Sequence, residues 1–346
     1  TITNNGVQST AVAGKTYTLT TAVDAVTGTA GADTISSSST TLTTGDTIDG
    51  GDGTDTLSIA ANLTADASLA GFTTTNVENV SINITDGTAN DADTLTVNAL
   101  NASATKFTIS GLSTSATEDS VTLNNLAAGT SITMSSATDV NVNANYVTAA
   151  TSGTADSISI ALSGVGSTAA NDTTLTTSAG FETYNISSTG SASTLDQITG
   201  STASAKTWNV TGDANLTLRS TQALDATLDV IDASAFTGAL SFATANDSST
   251  PNATSGGVDV LDLTITGGSG NDTIVTANAT NNEIKIDGGA GNDSVTIVAL
   301  PANATSTNVG DTLIGGAGTD TLVSDVDLLD GDAVTSTTKV TGVSGF

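Results

Sequence analysis

The chain has no cysteine and no histidine, one methionine, two prolines and, for aromatics, one tryptophan, three tyrosines and six phenylalanines in 346 residues. Without cysteine or histidine there is no thiolate or imidazole zinc site, no disulfide framework and no Ser-His-Asp or Cys-His nucleophile pair. Basic residues are also scarce, six against 35 acidic ones for a net charge of −29. Such a surface repels phosphate backbones, so nucleic acid is excluded as a partner. No stretch approaches the roughly 18 apolar residues of a membrane helix, and no basic-then-apolar signal segment opens the chain, so membrane insertion is not expected. The first residue is Thr1 rather than Met, which fits an internal piece or processed product of a longer protein.

What is abundant is aspartate. Only four of the acidic residues are glutamate: Glu78, Glu118, Glu182 and Glu283. An acidic surface kept for solubility would use both carboxylates. Aspartate is favoured where a short carboxylate must sit in a tight turn, bonding nearby amides or ligating a hard cation. Calcium is the natural counterion, because it takes several oxygen ligands in irregular geometry. High charge is also a mark of disorder. Against that stand 37% hydrophobic residues, mostly Val, Ile, Leu and Ala, set in short alternating runs.

Those runs recur along the chain: 56–60 (TLSIA), 80–85 (VSINIT), 94–99 (TLTVNA), 107–110 (FTIS), 157–162 (SISIAL), 207–211 (TWNVT), 216–219 (LTLR), 260–266 (VLDLTIT), 283–287 (EIKID) and 294–298 (SVTIV). An apolar residue alternates with Thr, Ser, Asn or Asp, the period of a half-buried strand. Helix is a minor component, with 223–235 the best candidate for a short turn. A sandwich of this length would use more large aromatics to fill its core. The few present suit a narrow core of stacked aliphatic ladders. The expected fold is therefore all-β, an elongated parallel β-solenoid or β-roll-like stack with room to kink into two or more arms. Three segments are expected: 1–145, with special turns at 28–36 and 50–58; 146–250; and 251–346. The polar stretch 246–257 (NDSSTPNATSGG) is the best boundary, and 145–155 a weaker one.

Internal repetition is the strongest signal. GDTIDGGDGTDTL at 45–57 returns as GDTLIGGAGTDTL at 310–322, identical at ten of thirteen positions. GGSGNDTIV at 267–275 and GGAGNDSVT at 288–296 repeat its core, and GTAGADTIS at 28–36 is a copy with Thr29 in place of the second glycine. All follow the nonapeptide G-G-x-G-x-D-x-U-x, with U a large apolar residue. Glycine permits turn conformations closed to other residues, so carbonyls can converge on a point to which the aspartate adds its carboxylate. The apolar residue (Ile35, Leu57, Ile274, Val295, Leu322) points into the strand stack. One turn offers too few oxygens for calcium, so a site needs two stacked turns, and metal then clamps coils together. The copies from Gly267, Gly288 and Gly315 stand 21 and 27 residues apart, which points to separate sites rather than one regular ion array. Asp46, Asp49, Asp52, Asp262, Asp287 and Asp311 lie close enough in sequence to help complete them.

Other features read plainly. Asn-x-Ser/Thr triplets follow from composition, and the pairs Asp91/Asp93 and Asp325/Asp327 read as turn or metal ligands rather than catalytic carboxylates. Trp208, in an alternating run, reads as core.

At the nonapeptides the chain resembles RTX proteins. The segments GFETYNISSTG (180–190), ASAKTWNVTGDANLTLRS (203–220), DASAFTGALSF (232–242) and LTITGGSGNDTI (263–274) resemble RTX-type bacterial surface-layer proteins of the Caulobacter kind, as does LTTAVDAVTGTAGADTI at 19–35. The resemblance implies export by type I secretion, anchoring to lipopolysaccharide through a separate domain not seen in this chain, and calcium-driven assembly of copies into a two-dimensional lattice outside the cell. Carried over by position, it implies Asp33, Asp55, Asp272, Asp293 and Asp320 as carboxylate ligands of Ca2+. The carbonyls of Gly51, Gly53, Gly268, Gly270, Gly289, Gly291, Gly316 and Gly318 would complete them. Thr29 departs from the pattern and weakens the 28–33 turn as a site.

Three functions fit this sequence to different degrees. A structural coat protein ranks first, since a chain without Cys, His or a basic patch suits a surface that does no chemistry. An adhesin or spacer in a type I-secreted exoprotein ranks second, for no ligand site shows at either end. An enzyme on a β-helix ranks a distant third, lacking aromatic sugar platforms.

Overall fold

The computed structural model describes residues 12–69, 71–86, 92–113, 118–166, 173–200, 205–219, 228–244, 263–277, 284–298, 312–324 and 339–340. Among them every paired strand is parallel, and the one helical element is a 3-10 turn at Thr148–Ala150. The chain is a β-solenoid. One fourteen-stranded sheet runs its length, with strands in chain order at Thr16–Thr18, Thr34–Ser38, Thr56–Leu63, Asn79–Asp86, Lys106–Leu112, Ser131–Thr138, Ser157–Ser163, Thr183–Ser188, Thr207–Gly212, Val230–Asp232, Leu263–Thr266, Ile284–Asp287, Thr312–Ile314 and Lys339–Val340. At about 4.8 Å per strand such a sheet spans about 60 Å.

The return side of the coil is divided among three sheets. A three-stranded sheet (Ala25–Thr27, Thr47–Asp49, Thr73–Thr75) serves the first coils. A six-stranded sheet runs from Ala67–Leu69 through Thr94–Asn98, Asp119–Leu126, Val140–Tyr146 and Thr174–Thr177 to Gln197–Gly200. A second one runs from Ser193–Leu195 through Leu216–Leu218, Leu240–Thr244, Thr273–Ala277 and Ser294–Val298 to Thr321–Ser324. Each handover falls within one coil, which then carries strands of both sheets. Phe72 sits in the first of these coils and Phe181 at the corner leading into the second, each 2% exposed.

Alternation builds the core. Inward residues stack in register as a ladder, Tyr17–Ile35–Leu57–Val80–Phe107–Ile132–Ile160–Ile186–Val210 along the long sheet. Beside it runs Ile59–Ile82–Ile109–Met134–Leu162. In-register ladders let a narrow core be filled by aliphatics, because each side chain meets its equivalents above and below. The aromatics concentrate at one place, where Tyr146, Phe181, Tyr184 and Trp208 pack in succession with edge-on and tilted rings. Trp208 is core, as its alternating context indicated.

The expected strands are present with boundaries moved by a few residues, and their parts at 260–262 and 283 lie outside the described residues. Helix at 223–235 is overturned where it is described: Val230–Asp232 is a strand of the long sheet, because Ile231 stacks on Trp208 and Ile265. Residues 223–227 and the stretch 246–257 lie outside the described residues. Three successive strands, Asp119–Leu126, Ser131–Thr138 and Val140–Tyr146, went unread. The last two are separated by a single residue, Asp139 at φ +54°, a corner with no glycine or proline to announce it.

Ladder packing predicts that Ile82→Ala, at a position with no exposed surface, costs about 2–5 kcal/mol. Urea unfolding of the calcium-loaded protein measures it, and a loss under 1 kcal/mol would show that the ladder does not carry the stability assigned to it.

Candidate metal sites at the corners of the coil

The strands begin, on most coils, just after an acidic residue. Asp33, Asp55, Glu78, Asp156, Glu182 and Asp229 precede strands of the long sheet; Asp93, Asp196, Asp272, Asp293 and Asp320 precede strands on the return side. Most of their carboxylates hook backward along the stack, whereas Asp156 accepts from Gly153 N of its own turn and the exposed Asp229 faces Lys206. Asp33 N donates to Asp55 Oδ1 (2.6 Å), Asp55 N to Glu78 Oε2 (2.7 Å), Asp156 N to Glu182 Oε2 (2.7 Å) and Thr173 N to Asp196 Oδ2 (2.9 Å). At the far end Leu240 N donates to Asp272 Oδ1 (2.8 Å), Asp272 N to Asp293 Oδ1 (2.8 Å) and Asp293 N to Asp320 Oδ1 (3.0 Å). A short carboxylate at a coil corner thus holds an amide that the in-register ladder would leave without an acceptor.

The nonapeptide turns are the most compact of these corners. Turn 28–33 stacks on 50–55 where the chain approaches the long sheet, with Asp52 N donating to Thr29 O (3.1 Å). Turns 267–272, 288–293 and 315–320 stack where the chain leaves that sheet, through Ala290 N to Gly268 O (2.9 Å) and Ala317 N to Gly289 O (2.8 Å). The repeats therefore form two stacks on different corners. Two glycine roles are visible. A Cβ on the first glycine of a turn would strike both the following turn and the turn's own aspartate, as at Gly288, 2.4 Å from Gly315 O and 2.6 Å from Asp293 Oδ2. A Cβ on the second would strike the neighbouring turn, as at Gly289 (φ +94°), 2.3 Å from Gly268 O.

Asp33, Asp55, Asp272, Asp293 and Asp320 are all buried, between 0 and 2% exposed. In each stack the first aspartate has both oxygens engaged. Asp33 accepts from Lys15 N and Thr29 N, and Asp272 from Leu240 N and Gly268 N. Every later one is left with an orphan: Asp55 Oδ2, Asp293 Oδ2 and Asp320 Oδ2 are buried with no hydrogen-bond partner among the described residues. The orphans number one per turn-on-turn junction, one in the first stack and two in the second. Electrostatics follows burial as well as hydrogen bonding. The Thr29 amide, ahead of the Lys15 amide, holds Asp33 below the usual carboxylate range. Burial pushes Asp55 up, reinforced by Glu78, Asp33 and Asp49. Burial likewise raises Asp272, and it raises Asp293 to about 6 with Asp272, Asp320 and Asp287 adding to the effect.

A buried carboxylate oxygen lacking a donor, among other carboxylates, is the complement of a hard cation, and the carbonyl-rich turns supply further oxygens. Among the described residues no three acidic side chains converge as a ready metal cluster. Calcium here would draw on carbonyls and water as much as on carboxylates. The structure brings together Asp33 with Asp55, and Asp272 with Asp293 and Asp320. Asp287 and Asp49 sit at the feet of their turns, accepting from Gly289 N (3.1 Å) and Gly51 N (3.1 Å). Asp52 is exposed on its turn. Asp46 belongs to another hook, accepting from Asp24 N and Thr43 N. Asp91, Asp262, Asp311, Asp325 and Asp327 lie outside the described residues. Glu78 and Glu182 were missed as hooks, although an acidic residue just ahead of an alternating run is the signal that marks them.

The model of the RTX calcium-binding nonapeptide repeat matches four stretches of the chain, 44–58, 264–279, 285–296 and 309–333. No curated protein matches the chain. The repeats are calcium-binding repeats and the fold is a β-solenoid, which together fit a calcium-binding RTX protein. RTX repeat proteins are typically extracellular or secreted, and no helix of the described residues is long and apolar enough to cross a membrane.

The orphaned oxygens predict the behaviour of Asp293→Asn. In chelator at neutral pH the variant is at least as stable as the unaltered chain, because a buried charge is gone; in calcium it loses most of the metal's stabilisation of 267–298. Equal loss of stability in both buffers, measured by urea unfolding, would count against a metal at this aspartate.

Proposed function

We propose that this chain is a structural component of a bacterial surface layer, a calcium-stabilised solenoid whose copies tile into a two-dimensional lattice outside the cell. Calcium is held at the stacked turns by Asp33, Asp55, Asp272, Asp293 and Asp320 with turn carbonyls. Anchoring to lipopolysaccharide belongs to a domain other than this chain.

The observation that carries the reading is where the charge lies. Acid is gathered at the coil corners, while the outward positions of the long-sheet strands between residues 34 and 212 are Ser, Thr, Asn, Ala and Gly, with Asp86, Lys106 and Leu112 at strand ends. These side chains knit into ladders, as where Asn83 Nδ2 donates to Ser110 Oγ (3.0 Å) and Asn209 Nδ2 to Asn185 Oδ1 (2.9 Å). Copies carrying a net charge of −29 repel one another. They can approach across a neutral face, or where calcium bridges acidic corners.

The second reading, an adhesin or spacer of a type I-secreted exoprotein, draws on the same repeats. Negative-stain images of the purified protein separate the two. The coat reading expects ordered sheets in millimolar calcium that dissolve in chelator; dispersed single particles in calcium would overturn it in favour of the spacer.

A further inference from the structure

Four buried carboxylate oxygens have no hydrogen-bond partner among the described residues, and the fourth, Asp119 Oδ2, lies outside the repeats. No G-G-x-G-x-D string lies near it, and none of the four matched stretches reaches it. Asp119 heads the strand Asp119–Leu126 and is 1% exposed. It reproduces the arrangement of Asp293 and Asp320: its Oδ1 accepts the amide of the acid one coil back, Asp93 N at 3.1 Å, and its Oδ2 is left over. Asp93, 6% exposed, stands ahead of Thr94–Asn98, and Asp86 ends Asn79–Asp86. Both carboxylates bear on Asp119, whose carboxyl is pushed up chiefly by burial and then by these two charges. The buried Ser113 hydroxyl lies 3.4 Å from the Asp119 amide.

A proton does not resolve this geometry. On Oδ2 it would become a buried donor with no acceptor, exchanging one unmet group for another. A hard cation resolves it, since it accepts an oxygen with no donor and offsets the neighbouring charges at once. We propose that Asp119, together with Asp93, holds a calcium ion at the corner where the chain passes from the long sheet to the six-stranded sheet containing Thr94–Asn98. As at the repeats, no three acidic side chains converge here among the described residues, so carbonyls and water supply the remaining ligands. The ion clamps coils in the middle of the solenoid, where the sequence carries no nonapeptide.

The proposal rests on the calcium reading of the repeats, and the test keeps the two apart. Native mass spectrometry in calcium counts ions on the full chain, on Asp119→Asn and on Asp293→Asn, and urea unfolding is run in calcium and in chelator. The expected result is one ion fewer on each variant, with Asp119→Asn losing calcium stabilisation while remaining at least as stable as the unaltered chain in chelator. If Asp119→Asn keeps its count while Asp293→Asn loses one, the site is overturned and the repeats stand. If neither loses an ion, the repeat reading fails as well. Should Asp119→Asn not fold, amide exchange of the unaltered chain decides. Calcium must slow exchange at 94–98 and 120–124 at least tenfold, and no slowing there overturns the site.

Discussion

A carboxylate at the head of one strand accepting the amide at the head of the strand before it is the interaction on which this solenoid depends. It recurs from Asp33 on Asp55 near the start of the described chain to Asp293 on Asp320 near its end. It sets the register of successive coils, and register places every apolar residue of the ladders in the core rather than in solvent. The same device gathers like charges a few ångströms apart in a chain with few cations. Where backbone amides satisfy both oxygens, as at Asp33, the charge is stabilised. Where only one is satisfied, the remaining oxygen is a buried liability that a bound metal would convert into a clamp.

Confining acid to the corners leaves the faces neutral, and so links local turn chemistry to the behaviour of copies toward one another. The outward hydroxyl and amide ladders add cross-strand bonds of modest individual strength but long extent. The continuous long sheet has edges only at its two ends, while the return side adds edges at its two handovers. Lateral contact across faces and metal bridging at corners need no free sheet edge.

Much of the fold was legible. Alternation at runs such as 56–60 and 207–211 gave the strands, and scarce aromatics gave the narrow aliphatic core. The nonapeptides gave the stacked turns, because glycine and aspartate at fixed spacing have few other uses. Three things were hidden for physical reasons. The corner at Asp139 uses a left-handed aspartate in place of glycine, so no turn residue marks the boundary between its two strands. At 223–235 local spacing resembled a helix, but in-register stacking of Ile231 outweighed it. The hooks at Glu78 and Glu182, and the orphan at Asp119, depend on contacts 23 to 26 residues away along the chain, a distance set by coil length rather than by any local string.

The central claim, that calcium completes carboxylates the coil itself cannot satisfy, is tested most directly by the pH dependence of stability with and without metal. Asp55, Asp119, Asp272 and Asp293 are raised by burial in the metal-free coil, Asp293 to about 6. The folded state then holds protons more tightly than the unfolded chain. Metal-free stability falls as pH rises from about 4.5 to 7. Calcium binds only the ionised carboxylates, so in saturating calcium stability rises over the same interval. Urea midpoints across that range in chelator and in calcium should give slopes of opposite sign. Slopes of the same sign in both buffers would contradict the account.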